Sequence, residues 1–407
     1  MKILLVAFAL GPTRGSEPAT GWGWASSLAR IHEVTVVSQT RNQEEVDRYL
    51  MDHPELKLRI YWVPSRRRRG GMTYLSWLNR VVALCGSLVA REKFDVVHLV
   101  TFGTISAPVD LWKLGIPFVL GPVGGGQRLN PIYQEVLGSM PLGERLRNLR
   151  VGLLPYLPAI RRTVQRAALV LATNRETECV ARRCGGKTLL FGDTGIRDEF
   201  LLGESPVRQS GTGLGMLWTG RMQYIKGIPL ALRAMKVAAR KDLTLDLLGA
   251  GPMESGLRAL VSELGLQEQV NFHGQVPFAR VFDFYDKADL FVFPSVRDSF
   301  GSQLLEAASR GLPILTLNHQ GAGALVPDAV AWKVPVDTVN STINGMAEAM
   351  VELADNPEKL AAMSKAAIAY AHTESWSRRA ERMSELYERL HSTTTAEIGF
   401  AGGTCRP

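Results

Sequence analysis

Cysteine is scarce in this chain. Its 407 residues include only Cys85, Cys179, Cys184 and Cys405, with no Cys-x-x-Cys pair and no adjacent histidine at zinc-ligand spacing. That argues against a metal or redox framework and fits a reducing cytoplasm. Long apolar runs are missing as well: none approaches the roughly 18 residues that cross a bilayer. The opening MKILLVAFALG is not followed by a small-residue cleavage site, so it reads as a buried first strand rather than a leader. No low-complexity repeat appears, and the aromatic residues (8%) are not interleaved with the basic ones as a stacking platform, which disfavours nucleic acid as a partner.

The chain is longer than a single core usually grows, so two domains are expected. With 46% hydrophobic and 21% charged residues it has ordinary globular composition. Its net charge of +8 is unevenly placed. Residues 1–200 hold 27 Lys and Arg against 17 Asp and Glu (+10), and the remaining 207 hold 20 against 22 (−2). Two basic clusters lie in the first half: Arg66 to Arg69 before GGMTYLSWLNR, and Arg145, Arg147, Arg150, Arg161, Arg162 and Arg166 around VGLLPYLPAI. Basic clusters beside Leu, Trp and Tyr suit an anionic membrane surface or a lipid-phosphate acceptor, and equally a plain solvated face.

The pattern along the chain is strand, glycine-rich loop, helix, strand. KILLVAFA, LGPTRGSEPATGWG, WASSLARI and HEVTVVSQ make a βαβ start, continued by FDVVHLV, IPFVLGPV and LVLATN. Short β-branched apolar runs of this kind belong to parallel strands covered on both faces. GESPVRQSGTGLG has no apolar periodicity and reads as a linker. The alternation then restarts with MLWTGR, LTLDLLGAGP, VNFHG, DLFVFPS and PILTL. The expected layout is a first domain over 1–200, completed by a carboxy-terminal helix over about 374–390. A linker over 201–214, a second domain over 215–373 and a frayed tail over 392–407 complete it. In two doubly wound domains facing one another, ligands bind at the carboxyl ends of the strands.

Three loops of the second half carry the chemistry. WTGRMQYIKG places Arg221 and Lys226 at a strand-to-helix junction, where a guanidinium and an ammonium together suit a diphosphate. In LLGAGP the glycines allow close backbone approach to a ligand. PSVRDSFGSQLLEA carries Asp298 in a loop and Glu306 on the following helix. Two carboxylates near backbone N–H groups suit vicinal hydroxyls, and also suit simple helix capping.

The ordered set GRMQYIKG, LLGAGP, VNFHGQV, ADLFVFPS, DSFGSQLLEA and RGLPI resembles the second domain of retaining glycosyltransferases of family 4, with RGSEPATGWGWASSLA, DVVHLV and GDTGIRDEF agreeing in outline in the first half. The resemblance implies an α/β GT-B fold, two Rossmann-like doubly wound parallel-sheet domains facing a central cleft. It implies that Arg221 and Lys226 bind the donor diphosphate and that Glu306 accepts from ribose hydroxyls. Asp298 would contact the transferred sugar, aided by the backbone of Phe300, Gly301, Ser302 and Gln303. Gly15, Gly220, Gly249 and Gly251 would bring backbone close to the donor. Three departures from the family pattern stand out: Asp298 occupies a position where Glu is usual, Ser302 and Gln303 replace an apolar pair, and a histidine common after the strand IPFVLGPV is replaced by GGGQR. The acceptor-side role of that histidine then falls to Gly124, Gly125 and Gln127, or to His98.

The expected activity is metal-independent transfer of a hexose, with retention, from a UDP- or GDP-sugar. The acceptor would be lipid-linked or an oligosaccharide, as in bacterial surface polysaccharide or glycolipid assembly, in the cytoplasm or peripheral on the inner face of the membrane. No cofactor is expected and no Asp-x-Asp pair is present. The alternatives are a sugar-nucleotide epimerase or phosphorylase on the same fold, and a catalytically silent donor-binding partner.

Overall fold

A computed structural model describes residues 1–65, 71–137, 141–204 and 213–392, with backbone alone at 71–73 and 279. The basic run Arg66 to Arg69, most of the expected linker and the expected tail after Ser392 lie outside the described residues.

The chain forms two compact units. The first has a seven-stranded sheet built from β1 (Lys2–Ala7), β2 (Glu33–Gln39), β3 (Leu58–Val63), β4 (Val96–Thr101), β5 (Phe118–Val123), β6 (Leu169–Ala172) and β7 (Thr188–Leu190). Its order is β3-β2-β1-β4-β5-β6-β7 and every pairing is parallel. The second has β8 (Leu214–Thr219), β9 (Leu243–Leu248), β10 (Val270–Gly274), β11 (Leu290–Phe293), β12 (Ile314–Leu317) and β13 (Ala331–Val334). These are also all parallel, in the order β10-β9-β8-β11-β12-β13. Central strands such as β4, β5, β11 and β12 are buried along their whole length, whereas the edge strands β3 and β10 are only partly buried. Helices on both faces cover the central strands and leave the edges of the sheets more open to solvent. Each strand order reverses once, between β1 and β4 and between β8 and β11, and such a reversal opens a crevice at the strands' carboxyl ends.

The first unit is completed by the helix Trp376–Ser392, which packs on the helix Ser16–Leu28. Gly23 makes room for it: a Cβ there would lie 2.1 Å from the Trp376 ring. Tyr387 and Arg379 of the same helix are buried, and Arg379 donates to the carbonyl of Gly192. A first domain continuous from 1 to 200 is expected from the sequence, whereas residues 128–148 belong with the second unit. Leu129, Tyr133 and Leu137 bury their side chains in that unit's core, and this apolar burial outweighs chain continuity. Cys85 and Cys184 are free and buried.

Candidate active site

The crevice between β8 and β11 gathers most of the residues that the sequence singles out. After β8 the chain passes Gly220 and an exposed Arg221, makes one 3-10 turn over Tyr224–Lys226, and enters the helix Ile228–Ala238 through Gly227. Gly227 adopts φ +65°, and a Cβ there would sit 1.9 Å from the carbonyl oxygen of Pro294. That close approach docks the β8 loop on the loop after β11, where the amides of Val296 and Arg297 both donate to the carbonyl of Ile225. The consequence is an ion pair: Lys226 Nζ lies 2.5 Å from Asp298 Oδ2, with both side chains largely buried. Lys226 also lies 5.8 Å from the centre of the Phe293 ring. An ammonium has three protons, so pairing with Asp298 orients the group without exhausting it.

The Asp298 loop is held from other directions too. The amide of Asp298 donates to Gln320 Oε1 at 2.6 Å, while Gln320 Nε2 donates to the carbonyl of Val296 at 3.2 Å. Arg297 pairs with Glu144 at 2.8 Å, both mostly buried. The Ser295 carbonyl is 2.9 Å from His319 Nε2. Sequence reasoning missed Gln320, although its place in LNHQGAG just after β12 was a signal of the same kind as the other strand-end loops.

Gly301 (φ +106°) starts the helix Ser302–Ser309, and no side chain caps that terminus. Phe300 packs into the core, so only its backbone faces the loop. Gln303 lies beside Gly220, its amide nitrogen 3.7 Å from where a Cβ on that glycine would be. Glu306 sits one turn into the helix. It accepts from the hydroxyls of Ser302 and Tyr285, the latter at 3.1 Å, and Tyr285 in turn bonds Thr219 Oγ1 at 3.0 Å. Burial pushes the Glu306 carboxyl above its ordinary value and the two hydroxyl donors partly restrain the rise. Tyr285, on the helix Phe278–Lys287, was also missed: nothing in its local sequence shows that it bridges β8 to Glu306.

Gly249 and Gly251 require a different account from the one expected. A Cβ on Gly249 (φ +124°) would lie 1.8 Å from the Gly220 carbonyl oxygen, and one on Gly251 would lie 2.3 Å from that of Met222. What approaches these glycines is the neighbouring strand-end loop, so their small size is accounted for by packing within the protein.

In the first unit the expected acceptor-side residues are corrected. His98 on β4 is wholly buried, with Nδ1 2.5 Å from the Tyr387 hydroxyl and Nε2 2.5 Å from the Gly121 carbonyl. Burial lowers its pKa to about 4, opposed by the Gly121 hydrogen bond. It is a neutral core residue, not a group presented to a substrate. The backbone after β5 is likewise engaged. The amides of Gly124, Gly125 and Gly126 donate to Gly103 O, Gln127 Oε1 and Thr177 Oγ1, and Gln127 is itself buried. Gly15 precedes the helix Ser16–Leu28 in extended conformation, and a Cβ there would meet nothing within 4 Å. Among the described residues no three His, Cys, Asp or Glu side chains group as metal ligands, and no helix is long and apolar enough to cross a membrane.

Two family models match, "Glycosyl transferase 4-like domain" over residues 15–187 and "Glycosyl transferases group 1" over residues 211–370, together well over half of the chain. The chain is a glycosyltransferase of the family 4 type. This glycosyltransferase is 34% identical over 193 residues to the D-inositol 3-phosphate glycosyltransferase of Thermobispora bispora, covering 44% of each chain. It is 31% identical over 139 residues to the putative colanic acid biosynthesis glycosyltransferase WcaL of Escherichia coli, covering 32% of this chain and 34% of that one. The matched stretches thus span less than half the length of these curated relatives. Among solved structures, Anabaena HepE in complex with UDP and glucose superposes with a TM-score of 0.61 at 17% identity, over 95% of this chain and 99% of that chain. Sucrose-phosphate synthase from Thermosynechococcus elongatus does so with a TM-score of 0.66 at 18% identity, over 96% and 98%. The glycosyltransferase has the GT-B fold.

Proposed function

We propose that this glycosyltransferase moves a hexose from a nucleoside diphosphate sugar to the hydroxyl of a lipid-linked or saccharide acceptor, with retention at the anomeric carbon. The observation that carries the reading is the convergence at the β8/β11 crevice. There Lys226, paired to Asp298, stands with the start of the helix Ser302–Ser309 and with Glu306 held by Tyr285. Cations and helix amides suit a diphosphate leaving group, and paired carboxylates suit sugar and ribose hydroxyls. HepE is described with UDP and with glucose, which supports UDP as the first nucleotide to test and leaves GDP second.

In this reading Arg221 and Lys226 hold the diphosphate and stabilise the charge that grows as the bond from the anomeric carbon to phosphate oxygen breaks. The acceptor oxygen forms its bond to that carbon on the same face, and the departing phosphate oxygen takes the acceptor's proton. Glu306 accepts from the ribose, and Asp298 serves twice, as partner to Lys226 and as acceptor for a sugar hydroxyl. The cationic side chains make a divalent metal unnecessary to the step, and no cofactor takes part.

Thermal-shift measurement against UDP-, GDP- and ADP-sugars tests the donor, since a ligand that binds only the folded chain raises its melting temperature by mass action. Selective stabilisation by one nucleotide sugar, followed by transfer with retained anomeric configuration, is expected. Inversion of configuration, or alteration of the donor without any acceptor, overturns the reading.

A further inference from the structure

Half of the twelve large hydrophobic side chains exposed among the described residues lie between Leu142 and Leu157. Leu142, Leu146, Leu149 and Leu153 are 71%, 58%, 63% and 49% exposed and belong to one helix, Leu142–Leu153. At about 100° per residue their spacing confines them to an arc of roughly 60°. Arg145 and Arg150, both exposed, flank that arc on either side, while Val151 falls opposite and is buried. Just beyond the helix Tyr156 is 75% exposed, Leu157 is exposed, and the helix Pro158–Arg166 presents Arg161, Arg162 and Arg166. The one acid between Pro141 and Ala168 is Glu144, and Arg297 already neutralises it.

A contiguous leucine stripe open to water is costly without a function. We propose that this surface seats the chain on an anionic lipid bilayer, the leucines and Tyr156 entering the acyl boundary and the flanking arginines meeting lipid phosphates. Apolar arc, bordering guanidiniums and near absence of acid together are the design of an in-plane interfacial helix. A second copy of the chain is a poor occupant, because a self-paired face would set these arginines against each other. The inference deepens the acceptor half of the proposed function and rests on that reading only for what the docking serves; binding itself involves no sugar nucleotide.

Flotation of the full chain with phosphatidylcholine vesicles, and with the same vesicles carrying phosphatidylglycerol, tests it. Binding is expected only to the anionic vesicles and should fall as salt rises. Exchanging Leu149 and Leu153 together for Ser should weaken binding roughly tenfold or more. Exchanging Arg150, Arg161 and Arg162 for Ser should cost about fivefold per arginine. These side chains are exposed, so the melting temperature should hold in both variants. Failure of the wild-type chain to float, unchanged flotation of the leucine variant, or a dimer that this variant splits into monomers would each overturn the proposal. Transfer to a lipid-linked and to a water-soluble saccharide acceptor is measured alongside: flotation without transfer to either counts against the proposed function and leaves membrane docking standing.

Discussion

Lys226 and Asp298, 72 residues apart in sequence, form an ion pair with 2.5 Å between Nζ and Oδ2. One residue follows β8 and the other follows β11, so the pair ties together the two strands at which the sheet order reverses. Removing either partner therefore does more than delete one contact. Lys226→Ala and Arg221→Ala are each expected to lower kcat/KM for the nucleotide sugar by about 10²–10³ through lost stabilisation of leaving-group charge. Asp298→Asn should cost less, near tenfold, because Lys226 keeps its charge and loses only its orientation. Asp298→Glu must refit a longer arm between Lys226 and the Ser295 hydroxyl, and should alter the ranking of donor sugars more than the affinity for free nucleotide. Steady-state kinetics across several nucleotide sugars checks all four variants.

Tyr285→Phe isolates the support beneath Glu306. The variant removes one donor that restrains the raised carboxyl pKa, so the pKa of Glu306 should climb further. Donor KM is expected to rise several-fold at neutral pH, and the acid limb of its pH profile should move to higher pH than in the wild type. An unshifted limb with normal KM would show that Glu306 does not contact donor.

His98 shapes acid stability. Its folded pKa of about 4 lies below the ordinary 6.5, so the stability that its neutral form contributes is complete above pH 6.5 and is lost as pH falls toward 4. A shift of that size corresponds to roughly 3 kcal/mol. His98→Ala should destabilise the fold by about 3 kcal/mol, since it opens a cavity and strands the Tyr387 hydroxyl and the Gly121 carbonyl. Urea unfolding measures this, while donor KM should remain as in the wild type.

Glu17 works in the other direction. On the first turn of the helix Ser16–Leu28, it has a pKa raised to about 7, first by burial and then by the nearby charge of Asp193. Stability linked to its protonated form is present below pH 4.5 and lost as pH rises through 7. Glu17→Gln is expected to stabilise the chain by roughly 2 kcal/mol well above pH 7 and by little near pH 4.5. Thermal melts over that pH range decide it.

The alternation of short apolar runs with glycine-rich loops determined two parallel-sheet domains, because a strand covered on both faces must be apolar at every position. The strand-end loops with Arg221, Lys226, Asp298 and Glu306 were legible for the same reason: they interrupt that pattern with charge. Which of these side chains meet was decided only by the tertiary structure. Pairing of Lys226 with Asp298, support of Glu306 by Tyr285 and clamping of Asp298 by Gln320 all join residues distant in sequence through strand order. His98 reads as a candidate on sequence because a histidine in a strand is chemically versatile; burial between Tyr387 and Gly121 removes that versatility. The second-unit placement of residues 128–148 likewise depends on where Leu129, Tyr133 and Leu137 find apolar partners. Local pattern fixes what each segment can be, and long-range packing selects which polar groups are left to act.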